Sequence, residues 1–278
     1  MLKLLGERSL GAADAAAVIR ALDADPVGTA MVAARVEAHG IEPRSLGGQL
    51  WSAGDPAASL CFNGANLIPL RGNNSDMNYF ADRALATPRA CSSIVGHAEF
   101  IEPLWSILCP AWGPAREIRG NQPLMALQNE LLVPPDPQVR VVTPDDLEAY
   151  VPAAVEMFIG EVGVDPCAGD GGRAYRRRLT ALINSHRVFA RFDGPDIVFK
   201  AEIGSLSRRV GQIQGVWVAP HLRGHGYGVG GTAAVAQAVL DNGRLPSLYV
   251  NDFNGRARNV YQSVGFSQVG TFATVLID

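Results

Sequence analysis

Arg223, Gly226 and Gly228 stand at RxxGxG spacing inside VWVAPHLRGHGYGVGG, residues 216–231, where five glycines fall within eight residues. Glycines at the start of a helix leave backbone N–H groups bare and let a bulky anion approach them closely. The positive end of the helix dipole and the Arg223 guanidinium both favour negative charge there. The chemistry to expect is binding of a diphosphate. Two other phosphate loops fail. A P-loop needs Lys and then Ser or Thr after its last glycine, and Val229, Gly230 and Gly231 follow instead. GxGxxG is matched formally by Gly226, Gly228 and Gly231, with Asp252 at the end of the next strand. That fingerprint follows its strand directly, whereas residues 220–223 intervene here, and residues 253–278 are too few for further βαβ units.

The loop works only if a strand delivers it and a helix leaves it. Residues 211–220 read as the strand and residues 227–241 as a small-residue helix, with Asn242 and Gly243 as its stop. Before them, VRVVT (139–143) predicts a strand. Thr143, Pro144 and two aspartates predict a helix start. That helix carries Leu147, Val151, Ala154, Val155 and Phe158 on one face and ends near residues 160–163. A glycine-rich loop (165–172) leads to a second helix over 173–185, and residues 187–193, 197–206 and 211–220 alternate as three antiparallel strands. A strand at 247–251, a helix over 254–263 closed by Gly265 and one or two strands within 266–277 complete the order β-α-α-β-β-β-α-β-α-β.

Residues 1–133 repeat that order more faintly. A short strand KLL leads to helices near 11–23 and 27–38, then strands at 49–52, 59–63 and 66–70. A helix near 74–85, a strand at 92–95, a helix over 99–109 and a strand near 124–128 follow. Pro134, Pro135 and Pro137 forbid helix and mark residues 134–138 as an extended linker between two domains, 1–133 and 139–278.

The composition sets the class. With 47% hydrophobic residues, 18% charged residues and a formal net charge of −3, the chain is globular and has no basic block to hold nucleic acid. RRR at 176–178 and RR at 208–209 read as solvated charges. The N-terminus lacks the apolar run of a signal peptide, and no stretch approaches the roughly 20 apolar residues of a membrane span. Cys61, Cys91, Cys109 and Cys167 form no CxxC and lie far from any His cluster. They read as reduced thiols, with no metal site and a cytoplasmic location.

IQGVWVAPHLRGHGYG resembles motif A of the GNAT superfamily of N-acetyltransferases, and LYVNDFNGRARNVYQSVGF (248–266) resembles its motif B. The resemblance covers residues 139–278, and the chain as a whole is similar to bacterial GNAT proteins with an extra N-terminal half. It implies an α/β (α+β) fold of two tandem GNAT-like domains, each a mixed, mostly antiparallel sheet flanked by helices. It also implies acetyl-CoA as co-substrate, with no metal, transferred by direct attack in a ternary complex to a primary amine of a small molecule, peptide or protein. In that geometry the strands at 213–219 and 247–251 splay apart. Pantetheine lies between them on the backbone of Val216, Trp217 and Val218, and the phosphates lie on Arg223, Gly224, His225, Gly226, Tyr227, Gly228 and Val229.

The resemblance gives Tyr261, seven residues after Asn254, the place of the general acid that protonates the departing thiolate. An aromatic that only packs the last helix onto the sheet is the alternative. Asn254 caps its helix and reaches pantetheine, or caps only. The family's strand glutamate is replaced by Gln212 and Gln214, which leaves the base open. Glu202 on the neighbouring strand is the candidate, acting through water, and a surface charge on an edge strand is the alternative. His186, His225 and water alone remain as other bases. The first domain has one glycine in RGNNSDMNYF, where the second has five, and Asp76 would set a carboxylate near any phosphate. It is expected to hold no CoA and to shape the acceptor site. The partners implied are acetyl-CoA and an amine, in a monomer or homodimer. A CoA-binding sensor without turnover, or transfer of another acyl group, are the competing functions.

Overall fold

A computed structural model describes residues 8–278, so the strand expected at KLL lies outside the described residues. The chain divides into two compact units. The first comprises Met1–Met125, Tyr249–Phe253 and Gln268–Asp278, and the second Ala126–Leu248 and Asn254–Ser267.

In the first unit, β1 (Arg8–Ser9) is followed by α1 (Ala15–Asp23), α2 (Ala30–His39) and a short α3 (Pro43–Leu46). Then come β2 (Gly48–Ser52), β3 (Leu60–Gly64), β4 (Leu67–Arg71), α4 (Asn74–Leu85), β5 (Ser93–His97), α5 (Ala98–Trp112) and β6 (Glu117–Ala126). The α3 turn is absent from the sequence-based reading, although Pro43 at its first position is its signal. The antiparallel ladder runs from β1 to β4, and β4 pairs parallel to β5 at Leu67↔Ile94. α4 and α5 cover the sheet through Phe80, Leu104 and Leu108, which pack with Trp51 and Ile94.

The second unit begins with β7 (Arg140–Val141), then α6 (Leu147–Val162), α7 (Arg173–Asn184), β8 (Val188–Asp193), β9 (Asp196–Leu206) and β10 (Val210–Val218). α8 (Tyr227–Asp241), β11 (Leu245–Tyr249) and α9 (Gly255–Val264) follow. Antiparallel pairing runs through β7, β8, β9 and β10, and β11 joins β10 in parallel. Asp146 fixes the start of α6. Its carboxylate accepts the Thr143 N–H at 2.8 Å and the Arg140 guanidinium at 2.7 and 2.8 Å. The buried face of α6 is Tyr150, Ala153, Ala154 and Met157, while Leu147, Val151, Val155 and Phe158 pack beside it. The apolar stripe is therefore centred differently from the sequence-based face.

Two features depart from the expected layout. β12 (Ser267–Leu276) is a single strand and pairs antiparallel with β5, from Phe272↔His97 to Leu276↔Ser93. The strand expected at the end of the second domain thus completes the sheet of the first unit. The proline-rich stretch is also tied down. The Asp136 N–H donates to the Gly230 carbonyl at 3.0 Å, and its carboxylate accepts from Arg191 at 2.7 Å, so this segment straps the first turn of α8. All four cysteines are free, Cys61 and Cys91 buried. Among the described residues no helix is long and apolar enough to cross a membrane.

Candidate active site

The parallel pairing of β10 with β11 covers Val210↔Leu245, Gly211↔Pro246 and Gln212↔Ser247, while β10 runs on to Val218. Its far half keeps its antiparallel partner β9, at Trp217↔Lys200 and Val218↔Phe199. A register shift between Gln214 and Trp217 bulges the strand at Gly215, whose φ of +58° is left-handed. The bulge turns Val216, Trp217 and Val218 into the wall of a cavity of about 1000 Å³ built entirely from the second unit.

The mouth of that cavity is the glycine loop. A single turn, Pro220–Leu222, follows β10, and Arg223 is extended. Gly226, at φ +86°, is the N-cap of α8 and, being glycine, supplies no side-chain cap. The first turn of α8 therefore presents its N–H groups without an internal acceptor until Val229, which donates to Gly226 at 3.0 Å. Arg223, Gly224, Gly226, Tyr227, Gly228 and Val229 all line the cavity. The Nε of Arg223 donates to the Val218 carbonyl at 3.1 Å, holding the side chain at the end of β10. Tyr227 is held by Arg191, 4.6 Å above its ring. His225 is the exception. It is exposed, its Nδ1 lies 3.2 Å from the Leu222 carbonyl, and it does not line the cavity.

α9 forms another wall. Asn254 lines the cavity while its side-chain Oδ1 accepts the Ala257 N–H at 3.1 Å, so the cap is made. Tyr261 lines the cavity with 7% of its surface exposed. Burial, and then the Glu161 charge, push its phenol well above the usual tyrosine value. The group is a phenol, not a phenolate, at neutral pH.

Residues 200–275 match the family model described as FR47-like protein. Residues 48–150 match a domain of unknown function, DUF4081. An acetyltransferase of the GNAT family from Colwellia psychrerythraea shares the fold at a TM-score of 0.57 and 10% identity, over 98% of this chain and 99% of that one. The chain carries a GNAT-type domain. A Drosophila protein shares this fold at a TM-score of 0.69 and 11% identity, over 97% and 98% of the two chains. A GCN5-related N-acetyltransferase from Sphaerobacter thermophilus does so at 0.53 and 17%, over 97% and 94%. Among curated proteins none matches. The family match and the fold together support an N-acetyltransferase enzyme.

Glu202 occupies a different place in the GNAT-type domain from the one expected. It is 1% exposed, not an edge-strand surface charge, and it does not line the cavity. Its Oε1 accepts from Lys200 Nζ and Tyr150 OH, both at 3.1 Å. Its Oε2 accepts from Gln214 at 3.3 Å and Arg178 at 3.4 Å. Burial works to raise its pKa, but the Lys200 and Arg178 charges and these hydrogen bonds hold it below the usual carboxylate range. A carboxylate saturated by four donors and kept ionised is a poor proton acceptor, so it is assigned a structural role. A Cβ on Gly215 would sit 3.3 Å from Lys200 Nζ, so this ion pair lies directly beneath the bulge that shapes the cavity.

Sequence reasoning missed part of the cavity. Glu156, Met157 and Glu161 of α6 line it, as does Arg256 of α9. Arg256 was visible as a basic residue just after the Asn254 cap. The two glutamates sat on the flank of a helix read only for its apolar face.

Proposed function

We propose that the GNAT-type domain transfers an acetyl group from acetyl-CoA to a primary amine by direct attack in a ternary complex. The observation that carries this reading is one cavity bounded by the bare first turn of α8 and by the buried phenol of Tyr261. The N–H groups of that turn, with Arg223 and Arg256, suit the diphosphate of CoA. Among the described residues β11 pairs with β10 only as far as Gln212, and the backbone of β10 beyond it suits the amide groups of pantetheine.

An amine of pKa about 10.4 is mostly protonated at pH 7, so producing the neutral nucleophile costs roughly 4.6 kcal/mol. The neutral nitrogen then adds to the thioester carbonyl, and the tetrahedral intermediate expels the CoA sulfur. Tyr261, held as a phenol by burial, donates its proton to that sulfur as the carbon–sulfur bond breaks. Without such a proton the leaving group would have to depart as a thiolate.

The test is release of free CoA thiol when the purified chain is mixed with acetyl-CoA and a panel of primary amines. Release that depends on both components is the expected result. Acetyl-CoA that raises the melting temperature but yields no thiol with any amine would leave a CoA-binding protein without this activity.

A further inference from the structure

Lys200 and Glu202 are 0% and 1% exposed, and neither lines the cavity. Taking two charges out of water is costly, and apolar side chains of the same volume often serve stability as well or better. The place of the pair in the ladder gives it a second use. β9 and β10 are in register at Gln214↔Glu202 and again at Trp217↔Lys200. Two steps along β9 therefore face three along β10, and the ion pair brackets the extra residue of the bulge.

Directional bonds tie the pair to α6, α7 and β10. Besides the Lys200–Glu202 contact itself, Tyr150 of α6 donates its hydroxyl to Glu202 Oε1 and accepts from Lys200 Nζ, both at 3.1 Å. Glu202 Oε2 accepts from Arg178 of α7 at 3.4 Å and from Gln214, the last residue in register before the bulge, at 3.3 Å. Inside the bulge, a Cβ on Gly215 would meet Met157 Cε at 3.1 Å, Lys200 Nζ at 3.3 Å and Glu202 Cδ at 3.7 Å. The charges thus fill the space under the extra residue, beside a methionine that lines the cavity. After the bulge, Val216, Trp217 and Val218 line the cavity too, and Trp217 also packs on the core that holds Tyr150. A one-residue slip of the bulge would turn those side chains to opposite faces of the sheet. An apolar filling has no directional bonds with which to resist such a slip.

We propose that Lys200 and Glu202 are positioning residues for acetyl-CoA. The ion pair pins the bulge between Gln214 and Trp217, and the bulge holds the backbone of residues 216–218 against pantetheine. This rests on the acetyl-transfer reading and deepens it: the grip on the thioester arm is set by two charges that touch neither ligand nor reacting atoms. The anion loop lies beyond the bulge and keeps its own supports, the Asp136 bond to Gly230 and the Arg191 stack on Tyr227. Loss of the pair therefore weakens the hold on pantetheine and spares the hold on the diphosphate.

The experiment is calorimetry on the full chain with two probes. One is acetyl-CoA, and the other is its nucleotide half, ADP 3′-phosphate, which has the diphosphate and no pantetheine. The variant is Lys200→Met with Glu202→Leu, which removes both charges together and strands neither. Its melting temperature without ligand should equal or exceed that of the wild type. Its Kd for acetyl-CoA should rise by about tenfold or more, the scale of a misplaced wall. Its Kd for ADP 3′-phosphate should stay within about twofold, as for independent sites. Gln214→Ala, at an exposed position, cuts only the bond between Glu202 and the bulge. It should show the same split at about threefold, the scale of one hydrogen bond, and it carries the test if the double variant fails to fold. An unchanged acetyl-CoA Kd in a folded variant would overturn the inference. Equal losses for both probes would do the same, since they would mean general damage and not a displaced pantetheine wall. Wild-type protein that binds no acetyl-CoA, or binds it no better than ADP 3′-phosphate, would instead remove the acetyl-CoA reading on which the inference stands.

Discussion

α4 and α8 each follow a strand that has a parallel neighbour, and the two helices begin with opposite chemistry. At α4, the Asn73 side chain accepts the N–H groups of Ser75 at 2.8 Å and Asp76 at 3.2 Å. The Asp76 carboxylate accepts the Asn73 N–H at 2.8 Å. The helix satisfies its own first turn and sets a negative charge where an anion would have to sit. At α8 the same place is Gly226, which has no side chain to offer. The positive end of α8 is left for something outside the chain. The helices that close the two units differ as well, since α9 carries Tyr261 and α5 has no tyrosine at all. A shared order of elements therefore fixes where a binding end can be. A few side chains decide whether it is open.

The comparison can be broken at its catalytic end first. Tyr261→Phe removes a hydroxyl and keeps the ring, so the acetyl-CoA melting shift should persist while turnover drops by about 10² to 10⁴. Turnover that survives would remove the phenol from the mechanism.

A change at the helix start should have a smaller but complete effect. Gly226→Asp would give α8 a carboxylate of its own, in the manner of α4, at a φ of +86° that favours glycine. Acetyl-CoA at about 100 times its Kd should stabilise the wild type by roughly 2.7 kcal/mol and the variant by nothing. The assignment of the loop fails if thermal melting gives equal shifts.

The smallest effect is expected at α4. Asn73→Ala removes the cap and should destabilise the first unit by about 0.5–2 kcal/mol, read by denaturant unfolding. Calorimetry should still find one CoA per chain, because Asp76 remains. A second site appearing in this variant would show that self-capping alone keeps the first unit empty.

How far the sequence reaches depends on the scale of the physics. The α8 helix was readable from end to end, because glycines and an Asn-Gly stop are local signals. The self-satisfied start of α4 was partly readable, since Asp76 stands three residues after Asn73. Glu202 was not. Lys200 and Glu202 are both buried, and β9 is buried on both faces over most of its length, so there is no alternation from which to read an inward charge. The α6 carboxylates were hidden for a related reason. A helix pattern reveals its buried stripe, while a cavity wall is set by what the stripe's flank happens to face. β12 was recognisable as a strand but not as a partner of β5, because periodicity says nothing about which distant strand completes a ladder.

That last strand changes the order in which the protein can be made. Phe272 and His97 are neighbours in the ladder yet roughly 175 positions apart along the polypeptide, so their pairing is a very long-range contact of the slow-forming kind. As the chain leaves the ribosome, the first unit emerges early but must wait with one side of β5 uncovered until the entire second unit has been translated. An open edge of this kind invites pairing with another nascent chain. The second unit, by contrast, has nearly all its parts before β12 appears, so in cotranslational terms the later half of the molecule should mature before the earlier one.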